Sequence, residues 1–397
     1  MFDLSFQETR DLISACMKVE PMSIPVYVQG PPGCGKSSIV NDLADDIAVA
    51  YQIPRKKVVS RTISLTSFDA VDIRGLPVPD IEAKVTTWLT PFIFSFNEDD
   101  IGILLFDELA SANPIVQVSI FRIMLERRLD SFVIPEGVYL MAAGNRKIDQ
   151  SVVFDLPAPL RNRMMIVTMV PTIEDFTSYA IKKNFEPSIV SFLNFRDNYL
   201  FNMRANSDDM SFATPRSWEF VNNFITSGRE KSLVMEDGSD FKYIPSEGIA
   251  KMLEGGNTKN NKLFQTAISG LVGKAAATEY ITFRAIEDKL PKMEDILAAK
   301  EYKIDINEMG VTYAIAGKLA SHLNKVGQKK MASDFDLQKA IVKFIRMYDS
   351  RPEMIIVLFK TFNQYMPQFG MTMSLSKDPV VKQFMESVNA VIRASHS

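Results

Sequence analysis

Gly30-Pro31-Pro32-Gly33-Cys34-Gly35-Lys36-Ser37 stands between a short β-type run, Pro25 to Gln29, and an amphipathic stretch that opens at Ser37. The glycines let consecutive backbone N–H groups turn inward around an oxyanion, and Lys36 follows at the spacing that reaches β- and γ-phosphates. The Ser37 hydroxyl falls at the positive end of the next helix, where it can ligate Mg²⁺. Residue types, order and strand-to-helix context together read as a phosphate-binding loop made of Gly30, Pro31, Pro32, Gly33, Cys34, Gly35, Lys36, Ser37 and Ser38.

The partner of such a loop lies about seventy residues on, where Ile101-Gly102-Ile103-Leu104-Leu105-Phe106 runs into Asp107-Glu108. A near-continuous apolar run is the pattern of a strand buried on both faces. Ligands bind at the carboxyl ends of strands in open α/β sheets, so Asp107 is placed to hold the water shell of Mg²⁺ and Glu108 to polarise an attacking water. Val138 to Ala143 forms another apolar run that delivers Gly144-Asn145. Asn145 then hydrogen-bonds a γ-phosphate or the attacking water, or else caps a turn.

Two further cationic positions suit charge developing in phosphoryl transfer. Leu160-Arg161-Asn162-Arg163 precedes the strand candidate Met164 to Thr168, and Arg216 follows Thr214 and Pro215. Thr as cap and Pro at the first helical position mark a helix start, with Trp218, Val221 and Ile225 facing a core and Arg216 exposed in the first turn.

The chain has 397 residues, 46% of them hydrophobic, which is enough for two or three cores. It holds two cysteines, one of them inside the phosphate loop, so the expectation is a reducing compartment and not a disulfide scaffold. The start MFDLSFQETRDL has no basic region followed by an apolar core, and no later run is long enough to span a membrane. A cytoplasmic protein follows as an expectation. The formal charge of −3 gives no general attraction to nucleic acid. His322 and His396 are too far apart in sequence for a zinc site.

Strand patterns at 25–29, 57–65, 101–106, 137–143 and 164–169 alternate with helical ones at 36–50 and 111–129, the spacing of a mostly parallel sheet covered by helices. Beyond 172 the pattern is helical: Thr172 to Leu200, Pro215 to Ile225, Leu263 to Ile286, Met309 to Leu323 and Leu337 to Val357, interrupted by a polar, Gly-rich 236–262. Gly75, Pro77 and Pro79 break the crossover between the two nucleotide motifs, so 67–91 reads as an insert, either gripping a partner or simply looping over the surface. Trp88 is expected in the core.

With these motifs in this order, the chain resembles AAA+ ATPases, and among them the MoxR-like and dynein-related ATPases of bacteria and phages. Gly30 to Ser37 resembles their Walker A loop and Leu104 to Pro114 their Walker B segment; Asn145 is similar to sensor 1. Leu156 to Arg163 resembles the arginine-finger segment, and Ala213 to Arg216 resembles sensor 2. Met164 stands where the family often has Phe, so the finger is Arg163 or Arg161. Residues 67–91 look like the family's helix 2 insert, and Leu129 to Pro135 like a hairpin arm before sensor 1.

The resemblance implies an α/β phosphate-loop NTPase with a five-stranded parallel sheet of order 5-1-4-3-2, followed by an all-helical lid and a helical C-terminal region. The implied domains are 1–170 with the insert, 171–325, and 326–397. It also implies a homo-oligomeric, usually hexameric ring that binds ATP and Mg²⁺, hydrolyses ATP to ADP and phosphate, and remodels a protein partner, often one with a von Willebrand factor A domain. A nucleic-acid motor or loader is the alternative, for which the insert supplies only Arg74 and Lys84. A GTP-hydrolysing restriction-like module is a third class, since a phosphate loop reads phosphates and not the base.

Overall fold

The computed structural model describes residues 2–17, 24–129, 132–149, 154, 156, 161–203, 210–228, 231–234, 240–244, 246, 261–287, 290–298, 300 and 302–394. The chain forms two compact units, Met1–Asp175 and Phe176–Ser397.

The first unit is built on a parallel sheet. Its strands are β1 (Asp3–Leu4), β2 (Val26–Gln29), β3 (Val59–Ser64), β6 (Gly102–Asp107), β9 (Val138–Gly144) and β10 (Met165–Met169), in the spatial order β1-β10-β2-β9-β6-β3. The five-stranded expectation is thus corrected to six: Asp3 and Leu4 pair with Thr168 and Met169 and extend the sheet at one edge. Two residues leave too little periodicity for a strand to be read from sequence.

β6 explains why its apolar run is continuous. Ile103 and Leu105 pack on one face with Val28, Leu43 and Ile47, while Leu104 and Phe106 pack on the other with Ile120, Ile123 and Leu140. Successive side chains point to opposite faces, and helices cover both. The first of these faces holds α1 (Phe6–Met17) and α2 (Ile39–Ala50), the second α4 (Pro114–Glu126). α2 starts at Ile39 and not near 36, because residues 36–38 form a turn in which the Ser38 and Ile39 N–H groups both donate to the Gly35 carbonyl. α4 is shorter than its predicted 111–129. Asn113 caps it by accepting the Ile115 N–H at 3.0 Å, Pro114 occupies its first position, and left-handed Arg127 (φ 53°) ends it.

The insert is a short helix, α3 (Ala70–Arg74), and an antiparallel hairpin of β4 (Leu76–Asp80) and β5 (Val85–Leu89). Gly75 joins them at φ 88°, and a Cβ there would lie 2.0 Å from the Leu89 carbonyl oxygen, so only glycine fits. Trp88 is not in the core. It is half-buried on β5, its ring 5.2 Å from the Arg74 guanidinium carbon. The aromatic that does enter the core is Phe94, stacked at 4.5 Å on Phe132. Phe132–Val133 pairs with Arg128–Leu129 as two short arms (β8 and β7); Asp130 and Ser131 lie outside the described residues.

The second unit is mainly helical, but the all-helical expectation is corrected by an antiparallel ladder of β11 (Lys231–Val234) and β12 (Asp240–Tyr243). Most of the Gly-rich 236–262 lies outside the described residues. Thr172 to Leu200 is two helices, Ile173–Lys182 and Pro187–Phe195, separated where Asn184 turns left-handed (φ 52°). Leu263 to Ile286 divides at Gly273, and Leu337 to Val357 divides before Pro352, each at a residue that cannot continue a helix. Trp218, Phe192 and Tyr280 meet in its core with ring centroids 5.4–5.6 Å apart. The segment beyond 326 folds within this unit, with Phe359 and Phe362 packed on Phe369.

Leu105→Ala should lower the stability of the first unit by about 2–5 kcal/mol, because the site is fully enclosed between sheet and helices. Gly75→Ala should instead loosen the hairpin alone. Urea unfolding checks the first, and hydrogen exchange confined to 76–89 checks the second; equal loss of protection across the sheet would contradict it.

Candidate functional site

Three neighbouring strands, β2, β9 and β6, point their carboxyl ends at one place. The loop after β2 needs left-handed backbone at Gly33 (φ 72°) and Gly35 (φ 101°), and it folds Lys36 back over itself. Lys36 is only 7% exposed, and its ammonium donates to the carbonyls of Gly30 and Pro31, both at 2.8 Å, and to Asn145 Oδ1 at 2.9 Å. A cation this enclosed is tolerable only among acceptors. The Asn145 amide, at the end of β9, is thus tied directly to the 30–38 loop.

At the end of β6, Ser37 Oγ donates to Asp107 Oδ2 at 2.5 Å, while Asp107 Oδ1 accepts the Glu108 N–H at 2.9 Å. A hydroxyl and a carboxylate side by side are hard oxygen donors that suit Mg²⁺, which takes one or two protein oxygens and keeps water or phosphate for the remainder. Among the described residues no group of three or more His, Cys, Asp or Glu offers a self-sufficient metal cage.

Glu108 adopts left-handed backbone (φ 59°, ψ 30°), rare for a residue with a side chain and frequent at functional sites. Its carboxylate Oε2 accepts from Ser64 Oγ at 2.7 Å and Thr66 Oγ1 at 2.6 Å. Sequence reasoning missed both hydroxyls. The signal was their position at the carboxyl end of a strand, where Ser64 lies in register with Asp107. It also missed Tyr27, whose buried hydroxyl would lie 2.4 Å from a Cβ at Gly144; burial and then the charge of Asp107 push this phenol's pKa up.

The two arginines lie elsewhere. Met165 pairs with Val26, so Arg161 and Arg163 enter at the end of the sheet where strands begin, one length of β2, about 13 Å, from the phosphate loop. Both are exposed, and the Arg163 guanidinium carbon sits 5.8 Å from the Phe121 ring centroid on α4. The structure therefore brings together the 30–38 loop, Asp107, Glu108 and Asn145, and leaves Arg161 and Arg163 apart from them. Pro157 to Leu160 lies outside the described residues. Arg216 belongs to the second unit, exposed in the first turn of Pro215–Thr226. Thr214 caps that helix by accepting the Ser217 N–H at 3.0 Å, and Trp218, Val221 and Ile225 are buried.

A family model described as RNA helicase matches residues 26–74, which hold the phosphate loop, α2, β3 and α3. No curated protein is similar enough to the chain to count as a relative. Among solved structures, the chain is similar to NtrX from Brucella abortus at 15% identity and a TM-score of 0.33, covering 71% of this chain and 66% of that one, just under two thirds of its length. It is similar to a point mutant of RuvB from Thermotoga maritima at 15% identity and a TM-score of 0.30, covering 73% of this chain and 72% of that one. The Brucella abortus NtrX structure in complex with ATP gives 12% identity and a TM-score of 0.32 over 92% of this chain and 69% of that one. Scores this low carry no argument about function. The parallel sheet and its loop stand on their own as an architecture consistent with a phosphate-loop NTPase.

Cys34 lies inside the loop, 6% exposed; burial pushes its thiol pKa up, outweighing the opposing charge of Lys36. A thiol held protonated and enclosed reacts slowly. Cys34 in the folded chain should thus react with Ellman's reagent at pH 8 at least about tenfold more slowly than in urea. Equal rates in both conditions would overturn this reading.

Proposed function

We propose that the chain is an oligomeric AAA+ ATPase, MoxR-like in type, that hydrolyses ATP to drive the remodelling of a protein partner. The observation that carries this reading is the convergence of Asn145 on Lys36 and of Asp107 on Ser37, with Glu108 next to Asp107 and Arg161 and Arg163 exposed at the opposite end of the sheet. In this reading Lys36 and the loop N–H groups hold the β- and γ-phosphates. Ser37 and Asp107 hold Mg²⁺, which would supply charge neutralisation at the phosphates. Glu108 accepts the proton of the attacking water, and Asn145 orients that water or the γ-phosphate.

Charge developing at the bridging oxygen needs a further cation. Arg163, or Arg161 in its place, is too far along the sheet to serve its own loop and is exposed to serve a neighbour's, which favours a head-to-tail ring; six subunits is the size the family resemblance suggests. Arg216 is the candidate for reporting nucleotide from the helical unit.

The partner class is read from the insert. On one face of the hairpin Leu76 lies opposite Leu89, and Val78 and Val85 continue the stripe; all four are exposed, as is Ile81 at the tip. An apolar exposed stripe fits polypeptide better than phosphate backbone; a protein with a von Willebrand factor A domain is the partner the resemblance suggests. A nucleic-acid motor is the second reading, favoured by the RNA helicase match over residues 26–74. No described helix is long and apolar enough to cross a membrane. A cytoplasmic setting belongs to this proposal.

Lys36→Ala should lose tight ATP binding, whereas Glu108→Gln should keep binding and lose at least about a hundredfold in turnover. Mixing Arg163→Ala with Lys36→Ala subunits should restore part of the hydrolysis. Verified mixed oligomers without recovery would count against a trans arginine, and recovery only with Arg161→Ala would move the finger. Stimulation by an unfolded protein and not by poly-U RNA favours the remodelling reading; the reverse favours the motor.

A second outcome concerns the two hydroxyls on Glu108. Ser64→Ala/Thr66→Val removes two charge-assisted hydrogen bonds from the carboxylate and should raise basal phosphate release several-fold, about 2- to 10-fold, with ATP affinity unchanged. A fall in turnover would mean that the hydroxyls hold Glu108 in its working position.

A further inference from the structure

Immediately after Asn145 the chain makes a single tight turn whose bonding exceeds what a surface turn requires. Asp149 is 6% exposed, and its carboxylate accepts from Arg146 Nε at 3.0 Å, Arg146 Nη2 at 2.7 Å and the Arg146 backbone N–H at 3.1 Å. The Asp149 N–H in turn donates to the Arg146 carbonyl at 3.1 Å. One carboxylate thus fixes both the side chain and the backbone nitrogen of residue 146, and that nitrogen belongs to the peptide plane that begins at the Asn145 carbonyl. A bidentate arginine pair is also the most orienting of ion pairs, because the planar fork permits one geometry.

The other side of Asn145 is equally constrained. Gly144 ends β9 so close to the Tyr27 hydroxyl that a Cβ would stand 2.4 Å from it, and the Gly144 carbonyl accepts the Gly30 N–H at 3.2 Å. Between these two anchors the Asn145 side chain meets Lys36 Nζ at 2.9 Å. The two donors of the Arg146 fork named above face Asp149.

We propose that the Arg146–Asp149 pair is a positioning device that holds the Asn145 amide on Lys36, and so sets the rate of turnover without itself binding nucleotide. The proposal rests on the reading of Asn145 as the group that orients the γ-phosphate or the attacking water. Removing one partner of a buried carboxylate also perturbs its surroundings, so the test must separate positioning from loss of fold.

Full-length Arg146→Ala, Asp149→Asn, Asn145→Ala and the double variant Asn145→Ala/Arg146→Ala are compared for kcat at saturating ATP, for affinity to a fluorescent ATP analogue, and for thermal unfolding. Arg146→Ala and Asp149→Asn should each lower kcat by about tenfold while affinity stays within about twofold, since a small misplacement of an orienting group acts on the transition state. In the Asn145→Ala background, Arg146→Ala should cause no further loss, because residues acting through one another are non-additive. Asp149→Asn keeps size and polarity and, with Arg146→Lys, carries the comparison if Arg146→Ala does not fold.

Parental kcat in Asp149→Asn, or an additional loss in the double variant, would overturn the proposal, the latter by giving Arg146 a direct role at the nucleotide. A parental kcat in Asn145→Ala would overturn it by removing its premise; hydrolysis that still depended on Lys36 and Glu108 would then leave the ATPase reading intact.

Discussion

Lys36 carries its ammonium into a position where 7% of the residue meets solvent, and the first unit supplies oxygens to meet it from three different places: two loop carbonyls and the amide of Asn145. Desolvating a cation is costly by several kcal/mol when acceptors are missing. The loop backbone, the end of β9 and the turn beyond it are consequently tied together. Asp107, engaged by Ser37, adds the end of β6 to the same assembly, and Glu108, held by Ser64 and Thr66, adds the end of β3.

That assembly depends on strand order more than on any single contact. β2, β9 and β6 are neighbours although β3 and the whole insert intervene in the chain. Parallel pairing places their carboxyl ends at one end of the sheet, with helices covering both faces, so the polar groups gather where no helix lies over the sheet. The same geometry sends Arg161 and Arg163 to the opposite end of the strands, since their strand begins where the others begin. One sheet therefore separates the cluster of Lys36, Ser37, Asp107 and Asn145 from the two exposed arginines.

The second unit is assembled differently. Its core is aromatic, with Trp218 giving its indole N–H to the Tyr199 carbonyl at 2.8 Å and packing on Phe192 and Tyr280. Thr214 and Ser217 form a capping box, with Pro215 at the first helical position, at the start of the helix that carries Arg216. An arginine on so well-defined a helix start has a rigid base, which a side chain on an uncapped loop would lack.

Local sequence determined the phosphate loop, the five longer strands of the sheet and the helix start at Thr214, because glycine spacing, uninterrupted apolar runs and cap-plus-proline signatures are properties of neighbouring residues. Asp107, Glu108 and Asn145 were legible for the same reason: each directly follows a readable strand. What tertiary structure decided were relations between distant positions. Two residues at 3 and 4 become a strand only because the β10 edge is open to them. Trp88 lies on the hairpin beside Arg74 and not in the expected core, while Phe94 packs against Phe132. Ser64 and Thr66 reach Glu108 because β3 lies beside β6, a pairing that no spacing of forty-odd residues encodes. The ladder in the second unit follows from how its segments pair, whereas the splits at Gly273 and before Pro352 lie at residues the sequence already displays. Periodicity reports which face of an element is buried, but what it is buried against is settled only when the chain closes on itself.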